Sequence, residues 1–162
     1  MEVIRVTPGG QEWPALIQYA ETCGWEAGAH LAAIMGQNQF AHPWESVFAA
    51  VGEGAFLGFC TLLETDYYPE NRYTPWISTV FVQKSHRGRR ISGALIQKAA
   101  DYARDQGFPT VYIPAGQQGL YEKYGFVEID ELENYGGGVD HIFAKPTGAA
   151  GENEGRLGAG EG

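Results

Sequence analysis

Four of the chain's eleven lysines and arginines, Lys84, Arg87, Arg89 and Arg90, crowd into one short stretch of a protein whose formal net charge is −9. The stretch lies inside FVQKSHRGRRISGALI, Phe81 to Ile96. An aromatic and β-branched run ends there at Val82, and a helix is expected to begin near Arg89 or Arg90. The first amides of a helix have no partner within it and carry partial positive charge. A strand, a basic turn and a helix start in succession therefore make a cradle for a phosphate or pyrophosphate. Gly88 lets the backbone approach a ligand closely, and the arginines add charge. A solvated strand–helix turn is the alternative that local sequence leaves open.

A second group with chemical potential is the loop Thr65 to Thr74, which carries Asp66, Tyr67, Tyr68, Glu70 and Tyr73. Carboxylates among aromatic rings suit a cationic or amphipathic amine, through charge pairing and cation–π contact. The same residues could equally anchor a solvated loop. The four histidines show no ligand spacing, so no metal is expected. Cys23 and Cys60 are far apart and form no CxxC pair, which favours a reducing compartment over a disulfide framework. The negative charge repels a polyanion at long range and argues against nucleic-acid binding. The first residues lack the layout of a signal peptide, and no apolar run is long enough to span a membrane. A cytoplasmic protein with no membrane partner is the expectation.

These groups need elements to hold them. Apolar residues make up 44% of the chain and aromatics 13%, enough for one domain with one core. Val3 to Val6 reads as a strand, followed by helical stretches at Trp13 to Thr22 and Glu26 to Met35. Strands Ser46 to Val51 and Ala55 to Glu64 flank Gly52-Glu53-Gly54, a hairpin signal. Trp76 to Val82 is a buried strand by composition. From Ile91, the apolar positions Ala94, Leu95, Ala99, Tyr102 and Ala103 recur at helical spacing until Gly107. Thr110 to Ile113 is a strand closed by Pro114-Ala115-Gly116. Gln118 to Tyr124 reads as a short helix ended by Gly125, and Phe126 to Ile129 opens another strand. After the turn Gly136-Gly137-Gly138 comes a last strand near His141 to Ala144. Strand, crossover helix and strand imply a parallel pair. The four tryptophans, Trp13, Trp25, Trp44 and Trp76, read as core residues or as the lip of a cleft. A domain over 1–147 is expected, with a disordered Gly- and Glu-rich tail over 148–162.

The order from Trp76 to Ile129, with Arg-Gly-Arg-Arg-Ile-Ser-Gly-Ala-Leu opening one helix and Leu-Tyr-Glu-Lys-Tyr-Gly-Phe following later, resembles the GNAT superfamily of N-acetyltransferases. That resemblance implies an α/β fold, a mixed and mostly antiparallel sheet with a central parallel pair flanked by helices. It implies acetyl-CoA as co-substrate and a primary amine of a small molecule or peptide as acceptor; the sequence leaves the assembly open between monomer and homodimer. Arg87, Gly88, Arg89, Arg90, Ile91, Ser92 and Gly93 would hold the pyrophosphate. Arg90 and Ser92 stand where the family signature has glycine; a helical backbone at both places would need none. Phe81 and Val82 would present strand backbone to the acyl and pantetheine arm. Tyr121 matches the family's proton donor, and a phenol with pKa near 10 suits a departing thiolate.

The base that deprotonates the amine is left open among Glu64, Asp66, His86 and His141. Glu64, at a strand end beside the Tyr-rich loop, is the first choice. Tyr124 reads as packing. A rival function is a non-catalytic acyl-CoA-binding sensor or scaffold, and an RNA acetylator is disfavoured by the charge.

Overall fold

The computed structural model describes residues 1–149. Of the expected tail, only Gly148 and Ala149 fall within that range; the remainder lies outside the described residues. The strands are β1 (Glu2–Val6), β2 (Ser46–Gly52), β3 (Ala55–Leu63), β4 (Trp76–Val82), β5 (Thr110–Ala115), β6 (Val127–Glu133) and β7 (Val139–Pro146). The helices are α1 (Trp13–Glu21), α2 (Glu26–Gln37) and α3 (Ile91–Asp105). The sheet order is β1-β2-β3-β4-β5-β7-β6. It is mostly antiparallel, with β4 and β5 as its parallel pair. This is the mixed α/β architecture expected of the sequence.

The chain forms two compact units, Met1–Leu62 with Thr79–Ala99, and Leu63–Ser78 with the chain from Ala100 onward. β4 passes from the second to the first after Ser78, and α3 passes back after Ala99.

In the first unit the β2–β3 turn places Glu53 at φ +53° and Gly54 at φ +77°. Two successive positive φ values match the twist of antiparallel strands, which is what makes a tight hairpin. α1 and α2 bury Leu16, Ala20, Leu31, Ala32 and Met35 against Val6, Val47, Ala49, Phe59 and Phe81. The Ile91–Ala99 stretch of α3 buries Ile91, Leu95, Ile96 and Ala99, and Cys60 Sγ lies 3.6 Å from the Leu95 carbonyl.

In the second unit β7 lies between β5 and β6, pairing antiparallel with both. Its core joins Tyr68, Trp76, Leu132 and Ile142, with Tyr73 and Tyr112 packed on them. The parallel register of β4 with β5 consists of one pair, Trp76 with Tyr112. α3 ends as its sequence dictates: the Gly107 N–H donates to Arg104 O at 2.9 Å and the Phe108 N–H to Ala103 O at 3.0 Å, with Gly107 at φ +95°.

Two expectations need correction. Pro114 and Ala115 do not close the strand but continue it, paired with Ile142 and His141. Gln118 to Tyr124 is not a helix; Glu122–Tyr124 alone forms a single 3-10 turn. Gly119, at φ +92°, breaks the stretch and leaves too few consecutive residues to nucleate an α-helix.

Candidate active site

The basic segment begins where β4 ends. Lys84–His86 form a 3-10 turn within the short basic segment expected there, and α3 starts at Ile91, later than expected. The first bond of the α3 ladder runs from the Ala94 N–H to Arg90 O at 3.1 Å. The amides ahead of it therefore aim out of the helix end. Gly88 sits at φ +85°, and a Cβ built on it would meet nothing within 4 Å, so its backbone faces open space. Open space at Gly88 beside a helix start leaves room for a pyrophosphate.

Arg90 overturns one expectation. It is not helical but adopts φ +63°, in the left-handed region where glycine is at ease and arginine is not. The backbone at this place takes the conformation that glycine favours, and this chain holds an arginine there. Arg87 folds back on the strand, its Nε donating to Val82 O at 3.0 Å.

Phe81 and Val82 are held tightly. The Gln83 N–H donates to Leu57 O at 2.7 Å, and a Cβ on Gly58 would stand 2.3 Å from Phe81 O. The Phe81 ring, 8% exposed, lies 5.2 Å from Phe59 and 6.0 Å from Trp25, near-parallel to both. Tyr19 meets Phe81 edge-on at 6.2 Å, and its hydroxyl donates to Gln83 Oε1 at 2.8 Å. Burial, with the nearby Cys23 thiol, pushes the Tyr19 phenol up to about 12. Thr79, two residues before Phe81, has φ +53°, a conformation rare for a β-branched residue.

The remaining candidates have separate surroundings. His86 Nδ1 lies 3.0 Å from Ser85 Oγ. In the second unit Tyr121 is buried and packs on Phe126 at 6.3 Å and Phe143 at 6.4 Å. Tyr124 closes the 3-10 turn that Tyr121 precedes. Glu64 follows the end of β3, and its backbone carbonyl accepts from Asn71 Nδ2 at 3.5 Å.

Asp66 is set differently. Its Oδ1 accepts the Tyr67 N–H at 2.7 Å, while its Oδ2 is buried with no hydrogen-bond partner among the described residues. Desolvation raises its pKa, opposed by the Tyr67 amide and the Ser78 hydroxyl and assisted by the nearby charge of Asp140. Asp140 in turn accepts from the Tyr68 hydroxyl at 2.9 Å and from Asn134 Nδ2 at 3.2 Å, and burial followed by that bond raises the Tyr68 phenol.

His141 faces its partner strand, its Nδ1 2.8 Å from Glu128 Oε2 and 3.6 Å from Glu131 Oε2. Gln118 also donates to Glu128. The bond to Glu128 is the main cause that raises the His141 pKa, and the bonds from Gln118 and then His141 lower that of Glu128. One donor atom from each of Glu128, Glu131 and His141 lies within 4.8 Å of the others. Linear histidine spacing hid this cluster because strand register, not sequence proximity, assembles it.

A family model described as the acetyltransferase (GNAT) family matches residues 13–126. The chain therefore belongs to the GNAT acetyltransferase family: it is an acyltransferase with acetyl-CoA as co-substrate. No curated protein sequence matches it. Among solved structures it is similar to an aminoglycoside 6'-N-acetyltransferase complexed with coenzyme A, at 16% identity over 91% of this chain and 97% of that one, with a TM-score of 0.65. A spermidine N-acetyltransferase chimera from Vibrio cholerae gives 16% identity over 90% and 95%, with a TM-score of 0.62. A ribosomal-protein-alanine N-acetyltransferase from Brucella melitensis gives 17% over 90% and 99%, also with a TM-score of 0.62. At such identities the likeness is one of fold. No helix among the described residues is long and apolar enough to cross a membrane.

Proposed function

We propose that this protein transfers the acetyl group of acetyl-CoA to a primary amine of a small molecule or peptide, by direct attack of the neutral amine. The observation that carries the reading is the Gln83–Gly93 segment, where open Gly88 backbone, arginine side chains and the first amides of α3 follow directly on β4. Acetyl-CoA supplies an acyl thioester. Arg87 to Gly93 would hold its phosphates, and the backbone of Phe81 and Val82 would steady the acyl arm, where a strand N–H can stabilise charge developing on the thioester oxygen. Tyr121 would protonate the leaving sulfur. Glu64 is the base first read from sequence. Asp66 has the stronger physical case, because its burial raises its pKa toward that of a working base. The structural neighbours include enzymes named for aminoglycosides, spermidine and a ribosomal-protein alanine, all amine acceptors, which supports an amine here.

The test has two readouts. At 100 times its dissociation constant, acetyl-CoA should add about 2.7 kcal/mol of stability, which at about 2–4 °C per kcal/mol is a rise of roughly 5–10 °C in Tm. Thiol release from acetyl-CoA should then depend on an added amine. No shift with either acetyl-CoA or coenzyme A would end the proposal, and binding without turnover on any amine would leave a sensor or scaffold in its place.

A further inference from the structure

Two consecutive residues of β4 face opposite kinds of chemistry. Val82 is tied through its carbonyl to Arg87, at the edge of the basic segment. Phe81 is tied through its ring to Trp25, in the turn between α1 and α2. That turn is as poor in cations as the other segment is rich: no lysine or arginine occurs between Arg5 and Arg72, and Glu21 and Glu26 close α1 and open α2 on either side of Trp25.

Trp25 is also built to stay where it is. Its backbone carbonyl accepts the first amides of α2, from Gly28 at 2.9 Å and Ala29 at 3.2 Å. Its indole continues a run of near-parallel rings, 18° from Phe81, which is itself 23° from Phe59. Yet Trp25 is 39% exposed, one of few large apolar residues of the first unit left to solvent. A rigid, electron-rich ring with carboxylates beside it in sequence is suited to an ammonium ion. An apolar ligand would gain nothing from the flanking glutamates.

We infer that Trp25 is a specificity-determining residue that receives a second, non-reacting ammonium of the acceptor, so that the preferred substrates are di- or polyamines rather than monoamines. The inference rests on the acetyl-transfer reading for its meaning, but not for its test. One nitrogen of the acceptor, deprotonated, reacts at the Phe81–Val82 strand. The other stays charged over the indole, and the ring stack couples the two positions.

The test is calorimetric titration of the full chain, saturated with coenzyme A, using 1,4-diaminobutane and 1-aminobutane as probes. Wild type should bind the diamine at least several-fold more tightly than the monoamine. Trp25→Leu, which keeps an apolar cover on Phe81 but removes the π face, should weaken the diamine by about 2- to 30-fold, the range of exposed to desolvated cation–π contacts. The monoamine and coenzyme A affinities should not change. Trp25→Phe should keep most of the diamine preference, which separates loss of the ring from damage to the fold. Equal weakening of both amines, an unchanged diamine affinity in Trp25→Leu, or a wild type that does not prefer the diamine would each overturn the inference. A protein that binds the diamine as described but never releases thiol would instead defeat the acetyl-transfer reading and leave the Trp25 site standing.

Discussion

Replacing Gly58 by alanine probes the tightest backbone contact around the proposed acyl-binding strand. A Cβ there would lie 2.3 Å from Phe81 O, 3.1 Å from Val82 Cα and 3.3 Å from Phe81 C. Ordinary contact begins near 3.4 Å, so β3 and β4 must separate by roughly 1 Å, and the obstructing atoms are backbone that cannot rotate away. Overpacking of this kind costs about 1–3 kcal/mol. Alanine returns about 0.4–1 kcal/mol by restricting the unfolded chain. The net loss then lies within about 0–2.6 kcal/mol, and the middle of the two ranges, about 1.3 kcal/mol, at about 2–4 °C per kcal/mol lowers Tm by roughly 3–5 °C. Because the displaced atoms belong to Phe81 and Val82, acetyl-CoA affinity should fall in the same variant. The assay is thermal unfolding by circular dichroism with and without acetyl-CoA. Gly36→Ala serves as the control, since Gly36 lies on α2 and its Cβ would meet nothing within 4 Å; it should gain about 0.5–1 kcal/mol from helix propensity. A Gly58→Ala protein that melts within 1 °C of wild type would refute the reasoning, because it would mean that the two strands are not held at this separation.

Two further outcomes are expected. Tyr121→Phe keeps the ring between Phe126 and Phe143 and should lower turnover by about 10²–10⁴ with Tm and acetyl-CoA affinity nearly intact; wild-type turnover, or an equal loss in Tyr124→Phe, would remove the acid assignment. The His141–Glu128 pair should stabilise most between the two groups' ordinary values of 4.5 and 6.5. The raised histidine pKa gives stability that is full below 6.5 and lost as pH rises through the folded value, and the lowered Glu128 pKa gives stability lost as pH falls below 4.5. The Tm gap between wild type and His141→Gln should therefore be larger at about pH 5.5 than at about pH 8.5, and an equal gap at both would show that the pair does not titrate as its geometry implies.

Much of the architecture was legible because it rests on patterns that a linear reading can register. Trp76 to Val82 declares a strand by β-branched and aromatic composition, and Ile91 to Ala103 declares a helix by the recurrence of its apolar face. The segment proposed to hold the cofactor stood out in the sequence because its charge is concentrated in so few residues. What escaped were features set by backbone conformation or by register. Nothing in the letters around Arg90 signals a left-handed residue, since arginine is a good helix former and the neighbouring apolar pattern invites the helix to start early. The helix expected over Gln118 to Tyr124 failed because Gly119, at φ +92°, interrupts it, a conflict that apolar spacing alone understates. The Asp66–Asp140 and Glu128–His141 relationships join residues on different strands and loops, and no spacing rule relates them before the fold does.

Four non-glycine residues of the described chain have positive φ, namely Asn38, Glu53, Thr79 and Arg90. Asn38 caps α2 and Glu53 turns a hairpin, both common uses of that conformation. Thr79 and Arg90 have no such use, and they bracket Val80 to Arg89, the stretch assigned to the acyl arm and the phosphates. Strain of this kind costs on the order of 1–3 kcal/mol at each position and persists only where the surroundings over-determine it. The surroundings here do so. Gln83 is fixed at its amide by Leu57 and at its side chain by Tyr19. Phe81 is wedged by the bare backbone of Gly58 and stacked between Phe59 and Trp25. Arg87 latches onto Val82. These constraints act inside the bracket, and Arg90 is held in addition at its carbonyl by the Ala94 N–H. A strand fixed this firmly between two strained ends is pre-organised, so a ligand that binds it need not pay the cost of ordering it.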